Sequence, residues 1–245
     1  LEIYYSLDHG ASWHYRGLVD NNGRTDLGLW EPNLNITSDG RLICYYSDER
    51  FVPEYSQLLG ERVSNDGGLT WDKEQFVCAI SDGVQRPGMA VTAKLPNGKY
   101  VMSFEAVNSG PGLPVHIKFS DDGIHWGSGP GDYGIAVKTS NGAYLGGCPY
   151  IAWSPAGDRE GTLVLSARVL TNSTNADREI FINRNLGQGP WTARPSPVQW
   201  QGGNNHSGWS MGMIATADGR GILELAPSAV DVTRDAMLVG RCDLP

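Results

Sequence analysis

SLDHGASW, residues 6–13, sets Ser6, Asp8, Gly10 and Trp13 at offsets 0, 2, 4 and 7, and SNDGGLTW, residues 64–71, sets Ser64, Asp66, Gly68 and Trp71 at the same offsets. A run with that spacing is a folded hairpin turn. The aspartate accepts turn N–H groups, the glycine supplies a positive φ, and the indole fills a gap between neighbouring sheets. A third copy is read in FSDDGIHW, residues 119–126, with Asp121, Gly123 and Trp126 in register and Phe119 in the serine's place. A fourth, RNLGQGPW at 184–191, keeps little beyond Gly187, Gly189 and Trp191. The motif reports architecture and by itself says nothing about chemistry.

A second repeat gives the same period. Strand-like runs follow a glycine turn at DGRLICYYSD, NGKYVMSFEA, EGTLVLSARV and DGRGILELAP, where Gly40, Gly98, Gly161 and Gly219 are 58, 63 and 58 residues apart. A period near sixty residues holding four short strands is that of propeller blades. A β-sandwich with coincidental turns is the alternative, and sandwiches do not repeat their sequence. Residues 1–19 read as a C strand, a turn motif and a D strand, so the chain is expected to begin inside a blade. Full blades are expected at 29–80, 86–138 and 147–200, with three strands of a last one in 208–245. The whole, 1–245, is expected to be a single propeller domain that lacks N-terminal blades.

Composition fits many short strands joined by turns: 32 glycines and eight tryptophans in 245 residues, with no sustained helical period. No apolar run is long enough to cross a membrane as a helix. A net charge of −8, with the basic residues scattered singly, speaks against nucleic acid, whose phosphates require a basic patch. Cys44, Cys78, Cys148 and Cys242 have no metal-ligand spacing and read as small buried hydrophobes. No metal and no organic cofactor are expected.

Strand direction turns the repeat into a map of one face. The starts of the A strands and the ends of the B strands meet there, and the turn motifs lie opposite. The A starts bring Trp30, Glu31, Arg86, Tyr150, His206 and Trp209, and the B ends bring Tyr46, Asp48, Glu105 and Arg168. Aromatics and charged groups together suit sugars, with rings against C–H faces and polar groups on hydroxyls. Glu31 in WEP and Glu105 in FEA sit among apolar strand residues, where an ordinary surface glutamate is not expected. Two such carboxylates could serve as the nucleophile and proton donor of glycoside hydrolysis, with Phe104 favouring the protonated form of Glu105. A structural ion pair with Arg86 or Arg168 is the competing explanation.

LWEPNL, LICYYSDER, RPGM, LPNGKYVMSFE, PYIAWSP and REIFIN, in this order, resemble glycoside hydrolase family 93, and the turn motifs resemble the Asp boxes (BNR repeats) of sialidases. The resemblance implies an all-β, sialidase-like β-propeller, six-bladed when complete. It also implies a retaining exo-acting enzyme on α-1,5-linked arabinan or a related arabinofuranoside. By the same resemblance Glu31 and Glu105 are the catalytic pair, and Arg86 and the tyrosines of CYYSDER line the sugar pocket. Trp30, Asp48, Tyr150, Arg168, His206 and Trp209 complete the expected substrate contacts. A monomeric protein that meets an oligo- or polysaccharide outside the cell or in the periplasm, with no membrane or nucleic-acid partner, is the corresponding expectation. The alternatives are a sialidase, with Arg50, Arg86 and Arg168 around a carboxylate, and a non-catalytic carbohydrate-binding propeller.

Overall fold

The computed structural model describes residues 1–21, 23, 26–173, 178–202 and 207–245. The described residues contain no helix. Their strands form antiparallel meanders in chain order, the blades of a β-propeller. The first sheet pairs β1 (Glu2–Tyr5) with β2 (His14–Leu18). The second runs β3 (Leu29–Ile36), β4 (Leu42–Asp48), β5 (Leu58–Ser64), β6 (Gln75–Cys78). The third is β7 (Arg86–Lys94), β8 (Tyr100–Val107), β9 (Val115–Ser120), β10 (Ile135–Ala136). A small unforeseen ribbon, β11 (Tyr144–Gly146) with β14 (Val169–Thr171), flanks the fourth sheet, β12 (Tyr150–Ser154), β13 (Thr162–Ser166), β15 (Glu179–Asn183), β16 (Thr192–Pro195). The last has three strands, β17 (Gly212–Ala215), β18 (Gly221–Ala229) and β19 (Asp235–Asp243). The chain divides into two compact units, Leu1–Ala90 with Ser120–Asp132, and Val91–Phe119 with Tyr133–Pro245.

Each hairpin between the first two strands of a blade closes on a glycine with positive φ. At Gly40 (φ 87) the amide donates to Thr37 O, while the Thr37 hydroxyl receives the Arg41 amide and donates to Asp39. Gly219 (φ 68) repeats this with Thr216 and Asp218. An L side chain would be strained at either position, which is why the glycine period marks the blades.

All four turn motifs join the last two strands of a sheet, as read, but two of them are registered differently. In the first two, Ser6 and Ser64 accept the amides of Gly10 and Gly68, and Asp8 and Asp66 accept those of Ser12 and Thr70. In the third, Ser120 and Asp122 take these roles, not Phe119 and Asp121. Ser120 accepts the Gly123 amide and Asp122 those of Ile124 and His125. One residue has been lost between aspartate and glycine, so aligning on Gly123 and Trp126 shifts the acidic position by one. In the fourth, Asn183 replaces the serine and its Oδ1 accepts the amides of Asn185 and Gly187.

The motif tryptophans pack on the sheet before their own. Trp71 lies on the cluster of Ile3, Val19, Cys44 and Tyr46, Trp126 meets Tyr45 edge-on at 5.8 Å, and Trp191 joins Val115 and Ile117. Trp13, in the first sheet of these residues, has no such neighbour and is 63% exposed. In the second unit the core continues through Val101, Leu145, Leu163, Leu165 and Phe181. The four cysteines are free thiols.

Candidate active site

Glu31 stands on a β-bulge. Trp30 pairs with Ser47 and Asn33 with Tyr45, so the Glu31–Pro32 step adds one residue to β3. Pro32 has no N–H to lose from the ladder, and Glu31 takes φ 56, a left-handed conformation that costs a non-glycine residue about 1–3 kcal/mol. The side chain is exposed, and its Oε2 accepts a 2.8 Å hydrogen bond from the buried Ser47 hydroxyl. Ser47 Oγ in turn accepts the Met89 amide at 3.1 Å. An amide can only donate, so the serine proton is directed at Glu31.

A charged frame surrounds this carboxylate. The Trp30 indole donates to Glu49 Oε2 at 2.9 Å, and Glu49 also receives the Gly28 amide and the Arg86 guanidinium. Burial opposes ionisation of Glu49, but the hydrogen bonds from Arg86 and Trp30 outweigh it and hold the carboxyl below its ordinary value. Arg86 is further tied to Ser56 O and Gln57 Oε1. It therefore pairs with Glu49 rather than Glu31. Sequence reasoning gives neither Glu49 nor Ser47 a role.

Glu105, near the end of β8, is 8% exposed, and its Oε2 accepts the Cys148 amide at 2.8 Å. Cys148 has φ 50 and follows Gly147 at φ 67, so the loop before β12 is wound to turn that N–H toward the carboxylate. Phe104 does not desolvate Glu105 as expected. Successive strand side chains point to opposite faces, and the Phe104 ring lies in a stack with His116 and Tyr133 at 6.0 and 6.2 Å.

The two arrangements are versions of one device. Ser47, Glu105, Arg168 and Ala226 each lie seven residues after a turn glycine, and Glu31, Met89, Cys148 and Ser210, each at or just before a first strand, have φ between 50 and 56. Met89 turns its amide to Ser47, and Cys148 turns its amide to Glu105. The seventh position was visible in the sequence, whereas the left-handed residues, none of them glycine or asparagine, carried no signal.

Other expected contacts are corrected. Tyr46 and Asp48 are fully buried, so within this chain they have no surface to offer a sugar. The Tyr46 hydroxyl donates to Asp20, and Asp48 binds Arg50, which also reaches Asp20 and Glu74. β4 is covered on both sides, so strand alternation did not tell pocket from core. Arg50 and Arg86 are thus engaged by carboxylates and do not form the arginine set of a sialidase. Tyr150 is half-buried against Trp200 and Met211. Arg168 lies over the Trp209 ring, 4.5 Å from its centroid, and donates to Ser207 O. His206 lies outside the described residues.

Solved structures share this fold over nearly the whole chain. An α-L-arabinanase of Penicillium chrysogenum complexed with arabinobiose superposes with a TM-score of 0.80 at 28% identity, covering 99% of this chain and 66% of that one. The resemblance to glycoside hydrolase family 93 holds. The family 93 α-L-arabinofuranosidase of Fusarium graminearum, also with arabinobiose, matches at 0.78 and 23% identity over 99% of this chain and 67% of its own. A Trypanosoma rangeli sialidase mutant matches at 0.60 and 16% identity, over 43% of that chain, and shares the fold. The chain spans about two thirds of the length of the arabinan-related structures. No protein-family profile and no curated protein sequence matches it.

Proposed function

We propose that this protein is a retaining glycoside hydrolase that releases short arabinose oligomers from the ends of α-1,5-linked arabinan, with Glu31 and Glu105 as its catalytic carboxylates. The observation that carries the reading is the strained bulge at Glu31, a carboxylate oriented by Ser47 and left clear of Arg86. Strain held at a charged, exposed side chain is a mark of function rather than packing. The likeness to the Penicillium arabinanase supports the substrate class.

In the mechanism Glu31 attacks the anomeric carbon from the face opposite the leaving group. Glu105 gives its proton to the glycosidic oxygen as the C–O bond breaks. A glycosyl ester on Glu31 results. Glu105, now the base, takes a proton from water, whose oxygen displaces Glu31 and restores the original anomeric configuration. The Cys148 amide, donating to Glu105 Oε2, fixes the orientation of this carboxyl. Trp30 offers the sugar a half-exposed aromatic face. A polymeric substrate places this work outside the cell or in the periplasm.

The test presents the intact protein with linear α-1,5-arabinan, other arabinofuranosides and sialyl-lactose side by side. Release of arabinose oligomers is the expected result, and turnover of sialyl-lactose alone overturns the reading.

A further inference from the structure

Two arginines of the second unit lie at the same end of one blade. Arg168 follows β13 and Arg178 precedes β15, and these strands are antiparallel partners, Leu165 opposite Phe181. Arg168 occupies, seven residues after its turn glycine, the place that Glu105 holds in the blade before. Each guanidinium lies over a tryptophan ring: Arg168 over Trp209 at 4.5 Å from the centroid, Arg178 over Trp200 at 3.5 Å. Among the described residues each donates through its Nε, Arg168 to Ser207 O and Arg178 to Trp200 O. Among the described residues neither meets a carboxylate, whereas Arg50, Arg62 and Arg86 all do.

A guanidinium seated over a ring by its Nε bond keeps its Nη donors for other partners, and a guanidinium receives a planar carboxylate through two parallel hydrogen bonds. Trp200 is a rigid base, 5% exposed and packed with Val198, Met211 and Ala226. Trp209 is 39% exposed and adds apolar surface beside Arg168. The register that sets Leu165 opposite Phe181 carries on to place positions 168 and 178 opposite each other, and burial, then the charge of Arg168, lowers the pKa of Arg178. Two like charges held together repel, and an anion between them relieves that repulsion.

We propose that Arg168 and Arg178 form a receptor for the carboxylate of an acidic sugar, a uronosyl unit carried by the polysaccharide on which this protein acts. This extends the substrate class of the proposed saccharide-binding face, and it stands or falls by binding rather than turnover, so loss of the hydrolase reading leaves it testable.

The experiment is calorimetric titration of the intact protein with sodium galacturonate, with galactose, which lacks only the carboxylate, and with sodium sulfate. Galacturonate is expected to bind about tenfold more tightly than either of the others, and less tightly as salt is raised. Arg168→Gln and Arg178→Gln are each expected to lose that preference while keeping the melting temperature. Absence of galacturonate binding, equal binding of galactose, equal binding of sulfate, or variants that retain the preference would each overturn the proposal. The wild-type comparison decides the matter even if a variant fails to fold.

Discussion

The turn end of the sheets and the opposite end obey different rules. At the turn end Ser6, Ser64, Ser120 and Asn183 do one job four times, accepting the amide of a following glycine with positive φ. At the other end the equivalent positions hold Ser47, Glu105, Arg168 and Ala226, four different chemistries on one scaffold. A glycine relieves the backbone at each turn, yet at the other end Glu31, Met89, Cys148 and Ser210 bear left-handed conformations that glycine would adopt without strain. The difference separates what the fold needs from what chemistry needs: one end is repeated because it holds blades together, and the other is varied and strained because it presents groups.

That division is broken most sharply by exchanging the two glutamates. Glu31→Gln and Glu105→Gln should each reduce initial rates on linear arabinan by ~10³-fold or more, with little change in melting temperature. A large loss of stability with activity retained would move these residues to the structural side.

Packing at the turn end gives the next largest effect. Trp126→Ala and Trp191→Ala should each cost about 3–5 kcal/mol in denaturant unfolding, because each buries an indole against the preceding sheet. Trp13→Ala, at an exposed indole, should cost under ~0.5 kcal/mol although it belongs to the best-formed motif.

Ser47→Ala sharpens the comparison at the site end. Loss of the hydroxyl that orients Glu31 should lower kcat about tenfold to a hundredfold with KM nearly unchanged, and Ser47→Thr should restore much of it. Equal changes in kcat and KM would assign Ser47 to substrate binding instead.

The smallest expected effect is on pH stability. Burial, reinforced by the Asp122 carboxylate, pushes the Glu61 carboxyl up to about 9. The folded chain keeps a proton that the unfolded chain releases near pH ~4.3, so this stability is complete at low pH and lost as pH rises through about 9. Glu74 acts in the same direction, through burial and then Asp48. Asp8 and Asp66 act in the opposite one. Hydrogen bonds from Ser12 and Thr70 hold them at about 2, a contribution present above the ordinary aspartate value and lost as pH falls through about 2. Thermal melts should therefore be highest between about pH 4 and 6 and decline toward pH 9. Glu61→Gln should flatten the decline and raise the pH 9 melting temperature by ~3 °C.

The same contrast explains what the sequence discloses. Blade order and turn positions are legible because Gly40, Gly98, Gly161 and Gly219 and the serine–aspartate turns are local devices whose residue types follow from their hydrogen bonds. The third and fourth motifs were misaligned because a lost residue after Asp122 and an asparagine at 183 preserve the bonds while altering the spacing. Glu31 and Glu105 stood out as glutamates in apolar strands, but their orienting groups are a serine proton and a backbone N–H, and the latter leaves no mark on residue identity. Tyr46 and Asp48 were misplaced because both faces of β4 are covered, so alternation there carries no label for solvent.

The most direct test of the central claim is azide rescue of Glu31→Ala and Glu105→Ala on an activated α-L-arabinofuranoside, with the product configuration read by NMR. The account predicts a β-glycosyl azide from Glu31→Ala, where azide replaces the lost nucleophile, and a retained-configuration azide from Glu105→Ala, where it takes over after the glycosyl ester has formed. Full activity in either variant without azide would contradict it.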